Sequence, residues 1–144
     1  MESTLTPEQI EKIGNLSKEG REYWKKNQLN EAESSFLRAW EIIPHPKSSL
    51  DYSQSLARGL VSFFKETKQY EKAKVWLAVM RDLYLPQPSD YVEFIAATVH
   101  FDAGETSIAY QFFDQQFKKY GKRPFIDEDK KYLNFYLAQK KGRK

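Results

Sequence analysis

Residues 20–44 read GREYWKKNQLNEAESSFLRAWEIIP, and this stretch decides the fold. Gly20 is followed three residues later by Tyr23, then by a polar break at Lys26, Asn27 and Gln28, then by Ala32, Phe36, Ala39 and Pro44. Steps of three and four residues return to one side of a helix, so Gly20 with Tyr23, and Ala32 with Phe36 and Ala39, mark the inner faces of two helices. The break between them makes the pair a hairpin. Gly20 and Ala32 are small enough to let the two backbones approach, and Tyr23 and Phe36 fill the seam.

Working outward, Thr6-Pro7-Glu8-Gln9 is a capping box with proline in the first turn, which opens a first helix running to about Lys26. Ile10, Ile13, Leu16, Gly20, Tyr23 and Trp24 mark its inner faces. Asn30-Glu31-Ala32-Glu33 repeats the capping pattern for the second helix, and Pro44-His45-Pro46 ends it. Ser48-Ser49-Leu50-Asp51 opens a third helix with an apolar stripe at Leu56, Leu60, Phe63 and Phe64, followed by the polar break Glu66-Thr67-Lys68-Gln69. A fourth begins near Tyr70, where Ala73, Leu77 and Met80 take the places of Ala32, Phe36 and Ala39, 41 residues on. Pro86-Gln87-Pro88 closes it. Ser89-Asp90 caps a fifth helix that Gly104 breaks, and a sixth from Glu105 carries Ala109 and Phe113 in the same roles, another 36 residues on.

The expected architecture is all-α. Three hairpins at about 7–44, 48–86 and 89–121 stack as a short right-handed solenoid within a single domain over 1–144, capped by a helix at about 127–141. Asp127, Glu128 and Asp129 suit the positive end of that last helix and Lys140 and Lys141 its negative end. Tyr132, Leu133, Phe135, Tyr136 and Leu137 suit packing against helix six on one side only.

Composition supports a folded chain: 40% of the 144 residues are hydrophobic, and 10 Phe, 9 Tyr and 3 Trp supply the bulk to be buried. Cysteine is absent, which removes disulfides and thiolate chemistry and fits a reducing compartment. No apolar run approaches the roughly 20 residues of a membrane span, and Met1-Glu2-Ser3-Thr4 lacks the start of a signal peptide, so the cytoplasm is the expected location. The net charge of +3 is uneven: residues 118–144 hold ten Lys and Arg against three acids. That asymmetry reads as a solvated last helix with a frayed Lys140-Lys141-Gly142-Arg143-Lys144 end, and nucleic acid is not an expected partner. His45 and His100 have no second ligand at metal spacing, and no catalytic or cofactor motif is present, so no metal, cofactor or enzymatic activity is expected.

The spacing of Gly20, Tyr23, Ala32, Phe36 and Pro44 resembles the tetratricopeptide repeat, W-x₂-L-G-x₂-Y…A-x₃-F…P over about 34 residues, with Leu16 in place of the Trp and Glu19 in place of the Leu. In that family the first helix of each hairpin lines a concave binding face. The resemblance implies that Ser17, Arg21, Trp24 and Lys25 lie there from the first copy, Arg58, Ser62 and Lys65 from the second, and Tyr91, Phe94, Thr98 and Phe101 from the third; the alternative for Phe94 and Phe101 is core beneath the last helix. The family's carboxylate clamp would fall on Ser17, Arg21, Gly59, Tyr91 and Ile95, of which one is basic, so a chaperone tail is not the implied partner. The run Tyr120-Gly121-Lys122-Arg123-Pro124-Phe125, followed by Glu128-Asp129, Lys131-Tyr132-Leu133 and Phe135-Tyr136, looks like the end of tetratricopeptide-like immunity proteins of bacterial polymorphic toxin systems. The implied function is non-catalytic binding and neutralisation of a cognate toxin; the alternative is a general adaptor for short peptides of partner proteins.

Overall fold

The computed structural model describes residues 5–45, 47 and 51–143. The expectations for residues 1–4, for Pro46, for the helix start at Ser48, Ser49 and Leu50, and for Lys144 lie outside them. Every regular element among the described residues is helical: α1 (Pro7–Lys25), α2 (Leu29–Ile42), α3 (Asp51–Glu66), α4 (Tyr70–Leu83), α5 (Asp90–Asp102), α6 (Thr106–Tyr120), a 3-10 turn (Arg123–Phe125) and α7 (Lys130–Gly142). None is long and apolar enough to cross a membrane.

The helix starts follow local chemistry. Thr6 Oγ1 accepts the Gln9 N–H at 3.1 Å while the Gln9 side chain accepts the Thr6 N–H at 2.9 Å, which is the expected capping box. Ser89 accepts the Val92 N–H ahead of α5. Two expected starts are displaced. Asn30 lies inside α2, which begins at Leu29 with Gln28 as an N-cap that makes no side-chain bond. Asp127 and Glu128 precede α7, whose N-cap is Asp129, because the chain first forms the 3-10 turn that buries Phe125.

One turn is used three times. Asn27, Lys68 and Gly104 adopt left-handed φ values of 60°, 64° and 85°. After each, an N–H reaches a carbonyl five residues back: Gln28 to Tyr23 at 2.9 Å, Gln69 to Phe64 at 2.8 Å, Glu105 to His100 at 2.9 Å. Such closure satisfies carbonyls stranded at a helix end and reverses the chain. The three turns are spaced by the same 41 and 36 residues that separate the Ala-Phe signatures. Helix packing matches: α1 lies on α2, α3 on α4 and α5 on α6, while α2 touches α3 and α4 touches α5.

Gly20 and Phe36 meet as the spacing implies. A Cβ added at Gly20 would come within 2.5 Å of the Phe36 ring, so the close approach requires glycine. Phe36 joins Phe63, Phe64, Leu60, Leu77 and Met80 in a buried cluster spanning α2 to α5. A second cluster gathers Phe94, Ala109, Phe113, Phe125, Tyr132 and Tyr136 from α5, α6, the 3-10 turn and α7.

The terminal helix does more than cover α6. Tyr132 also reaches α3 and α5, where its hydroxyl accepts from Lys65 Nζ and donates to Asp102, each at 3.2 Å. Its basic end makes ring contacts as well. Lys140 lies 4.7 Å from the Phe117 ring centre and the Arg143 guanidinium 3.9 Å from that of Tyr110. Residues 140–143 are exposed, as expected of a solvated end, and these cation–π contacts lie along it.

Candidate functional site

α1 and α3 face one another across an apolar cleft of about 410 Å³. Ile13, Leu60 and Phe36 form buried parts of its wall, while Ile10 and Tyr52 stand half out at its mouth. Ser17, Ser55 and Ser62 supply hydroxyls. Arg21 is the one charged residue in the lining, and it is exposed with no ion pair among the described residues. Among the described residues the lining holds no Asp, Glu, His or Lys, so the serines have no described base beside them within the cleft. What this arrangement offers is desolvation of an apolar group and a fixed cation for an anionic one.

Of the eleven residues the repeat register places on a binding face, the structure brings Ser17, Arg21, Trp24 and Ser62 together in this cleft. Lys25 and Arg58 are exposed on the same two helices outside its lining. Trp24 is not a free surface residue. It is half-buried, with its ring edge-on to Phe63 at 5.1 Å and to Phe36 at 6.5 Å, so one side of the indole belongs to the core.

The third-copy residues part company with the others. Phe94 is buried against Phe113 and Phe125, with ring centres 5.5 and 5.0 Å away. Thr98 is fully buried, its hydroxyl donating to the Ile95 carbonyl and accepting from Lys65. Phe101 packs on Tyr132 and on Phe135, the latter at 4.8 Å. Thr98 is a correction, closed off by Lys65 from α3, whereas Phe94 and Phe101 take the core alternative, with Phe125 of the 3-10 turn on the one and Tyr132 and Phe135 of α7 on the other. Tyr91 stays exposed but lines a separate pocket with Tyr120 and Arg123.

Lys65 is likewise engaged. It donates to Thr98 and to Tyr132, both at 3.2 Å, and sits over the Tyr132 ring. Burial, and then the Asp102 carboxylate, push the Tyr132 hydroxyl well above the ordinary tyrosine range, so it stays protonated and bridges Lys65 to Asp102. Lys131 completes the set with an ion pair to Asp102 at 3.3 Å.

Gly14, Ile10, Ser55 and Tyr52 belong to the cleft without having been singled out for it from the sequence, and Gly59, which entered only as a clamp position, lines it too. The glycines were the visible signal, since glycine inside a helical pattern is costly and calls for a reason. A larger cleft of about 890 Å³ along α1 and α2 is lined by charges of both signs, with Glu33 already bound to Lys72 at 3.1 Å. Its lining mixes Lys12, Arg38 and Lys72 with Glu33 and Glu41 and so presents no single sign of charge, which leaves the α1–α3 cleft as the stronger candidate.

The chain matches no family model, no curated protein and no solved structure.

Proposed function

We propose that this chain is a tetratricopeptide-like binding protein, three hairpins stacked as a short right-handed solenoid with α7 as its cap, which holds a protein partner at the α1–α3 cleft. The observation that carries the proposal is the cleft itself: apolar and, among the described residues, free of carboxylates and lined by an Arg21 without an ion pair. Such a surface gains from covering apolar groups and from pairing one charge, which is how compact interfaces concentrate binding energy. The recurrence of one turn geometry at 27, 68 and 104 supports the repeat reading.

The specific form we favour is stoichiometric neutralisation of a bacterial toxin in the cytoplasm, on the resemblance carried by residues 120–136; a peptide adaptor is the competing form. Affinity separates them. An inhibitor acting at low concentration needs nanomolar binding, about −12 kcal/mol, whereas a peptide adaptor works at micromolar, about −8 kcal/mol. The test is to express the open reading frame next to this gene with and without the chain. Growth arrest relieved by the chain, and not by Arg21→Glu, is the expected result. A neighbouring product that is harmless alone would overturn the toxin form, and rescue equally strong with Arg21→Glu would remove the cleft from it.

A further inference from the structure

Two glycines in the cleft serve no purpose that the fold explains. Gly14 lies inside α1 and Gly59 inside α3, positions where glycine is the poorest helix former after proline. Gly20 is accounted for by the Phe36 ring, but a Cβ added at Gly14 or Gly59 meets no heavy atom within 4 Å. Neither has the left-handed φ that would require glycine; among described glycines only Gly104 and Gly121 do. What the two share is the cleft, which both of them line. Side chains at these positions would stand in it.

The surroundings indicate what the space is for. Arg21 lines the cleft, and Lys25 and Arg58 lie exposed on the same helices, all three without an ion pair among the described residues. At about 410 Å³ the space falls near the low end of the roughly 300–1,000 Å³ typical of ligand pockets. A small side chain would leave much of the apolar wall without contact partners, which forfeits attraction.

We infer that Gly14 and Gly59 hold open a socket for a bulky apolar side chain presented by an acidic segment of the partner protein, with a carboxylate of that segment on Arg21. This deepens the proposed function and rests on the cleft being the partner site. Charge complementarity sets the occupant: Arg21, the one charge in the described lining and without an ion pair among the described residues, favours Asp or Glu beside the anchor and disfavours a basic segment.

The experiment is a selection of displayed random peptides on the immobilised full-length chain, followed by affinity measurements of the selected peptides on Gly59→Leu, Arg21→Glu and the double variant Gly14→Ala with Gly59→Ala. We expect enrichment of sequences with a large apolar residue flanked by Asp or Glu, and at least tenfold weaker binding by both Gly59→Leu and Arg21→Glu. The double alanine variant should melt a few degrees higher than the parent, because it improves helix propensity and removes no contact. Selected peptides that lose binding on Gly59→Leu but are basic, or lack a bulky apolar residue, would overturn the ligand class while leaving the cleft as the partner site. Peptides that bind the parent and Gly59→Leu equally would instead overturn the cleft reading. A lower melting temperature for the double alanine variant, or no enrichment at all, would sink the socket. A dimer of the parent that Gly59→Leu dissociates would assign the socket to a second copy and overturn the acidic partner.

Discussion

Gly20 and Lys68 show how single backbone positions carry consequences that composition hides. At Gly20 a methyl would press on three atoms of the Phe36 ring at 2.5–2.9 Å, and that ring is itself held by Trp24 and Phe63. Gly20→Ala gains about 1 kcal/mol in helix propensity, but overpacking of this kind costs about 1–3 kcal/mol. We expect a net loss, read as a lower urea midpoint at unchanged slope. Lys68 is the reverse case. It holds a φ of 64° in the second turn, where the third turn has Gly104. A left-handed L-residue is strained by roughly 1–2 kcal/mol, so Lys68→Gly should raise stability by up to about 1 kcal/mol after glycine's extra chain entropy is subtracted. An unchanged or lower midpoint would mean that the turn is not strained. Arg21→Ala, at an exposed side chain, should stay within about 0.5 kcal/mol of the parent, whereas Trp24→Ala should not, because the indole packs on Phe63.

Among the elements, α7 is the one whose partners are spread furthest along the chain. Lys65 from α3, Thr98 and Asp102 from α5 and Tyr132 from α7 form one hydrogen-bonded set, and its Tyr132 hydroxyl is the shared atom. Tyr132→Phe keeps the ring edge-on to Phe101 and removes the bridge, leaving Lys65 and the mostly buried Asp102 with poorer company. A loss of about 1–3 kcal/mol is expected. Hydrogen exchange should locate it: amides of α7 speed up more than those of α1 and α2, and uniform acceleration across the chain would contradict the latch. Hairpin positions were legible from residue spacing because each turn is a local device, closed by bonds between residues five apart. The start of α7 was not, since Asp127, Glu128 and Asp129 all suit a helix N-terminus and only the burial of Phe125 selects Asp129.

At the scale of the whole molecule, ion pairs tie hairpin to hairpin: Glu33 to Lys72, Arg81 to Glu93 and Lys74 to Glu105. Hydrogen bonds from Tyr120 and Lys119 hold the Asp90 carboxyl below its ordinary range, and Lys74 and His100 do the same for Glu105. Burial alone would raise Asp114, but the Tyr136 hydroxyl and Lys118 together bring it down. A carboxyl depressed in the folded state contributes stability above its unfolded value and loses it as pH falls through the folded one. The melting temperature should therefore hold between pH 7 and 5 and drop as the solution is taken below about pH 4, and a flat profile down to pH 3 would contradict these assignments. By itself the sequence determined helix and hairpin, because amphipathic period, small-residue contact and polar breaks act over a few residues along one chain. The repeat resemblance, and not spacing alone, put Ser17, Arg21, Trp24 and Ser62 on one face. Only the tertiary structure decided which of the predicted surface stays open, for Phe94 is covered by the 3-10 turn and Phe101 by α7, some thirty residues further on, while Thr98 is closed off by Lys65 from α3. Burial is settled by whichever distant segment removes the most apolar area from water, and no local spacing records that competition.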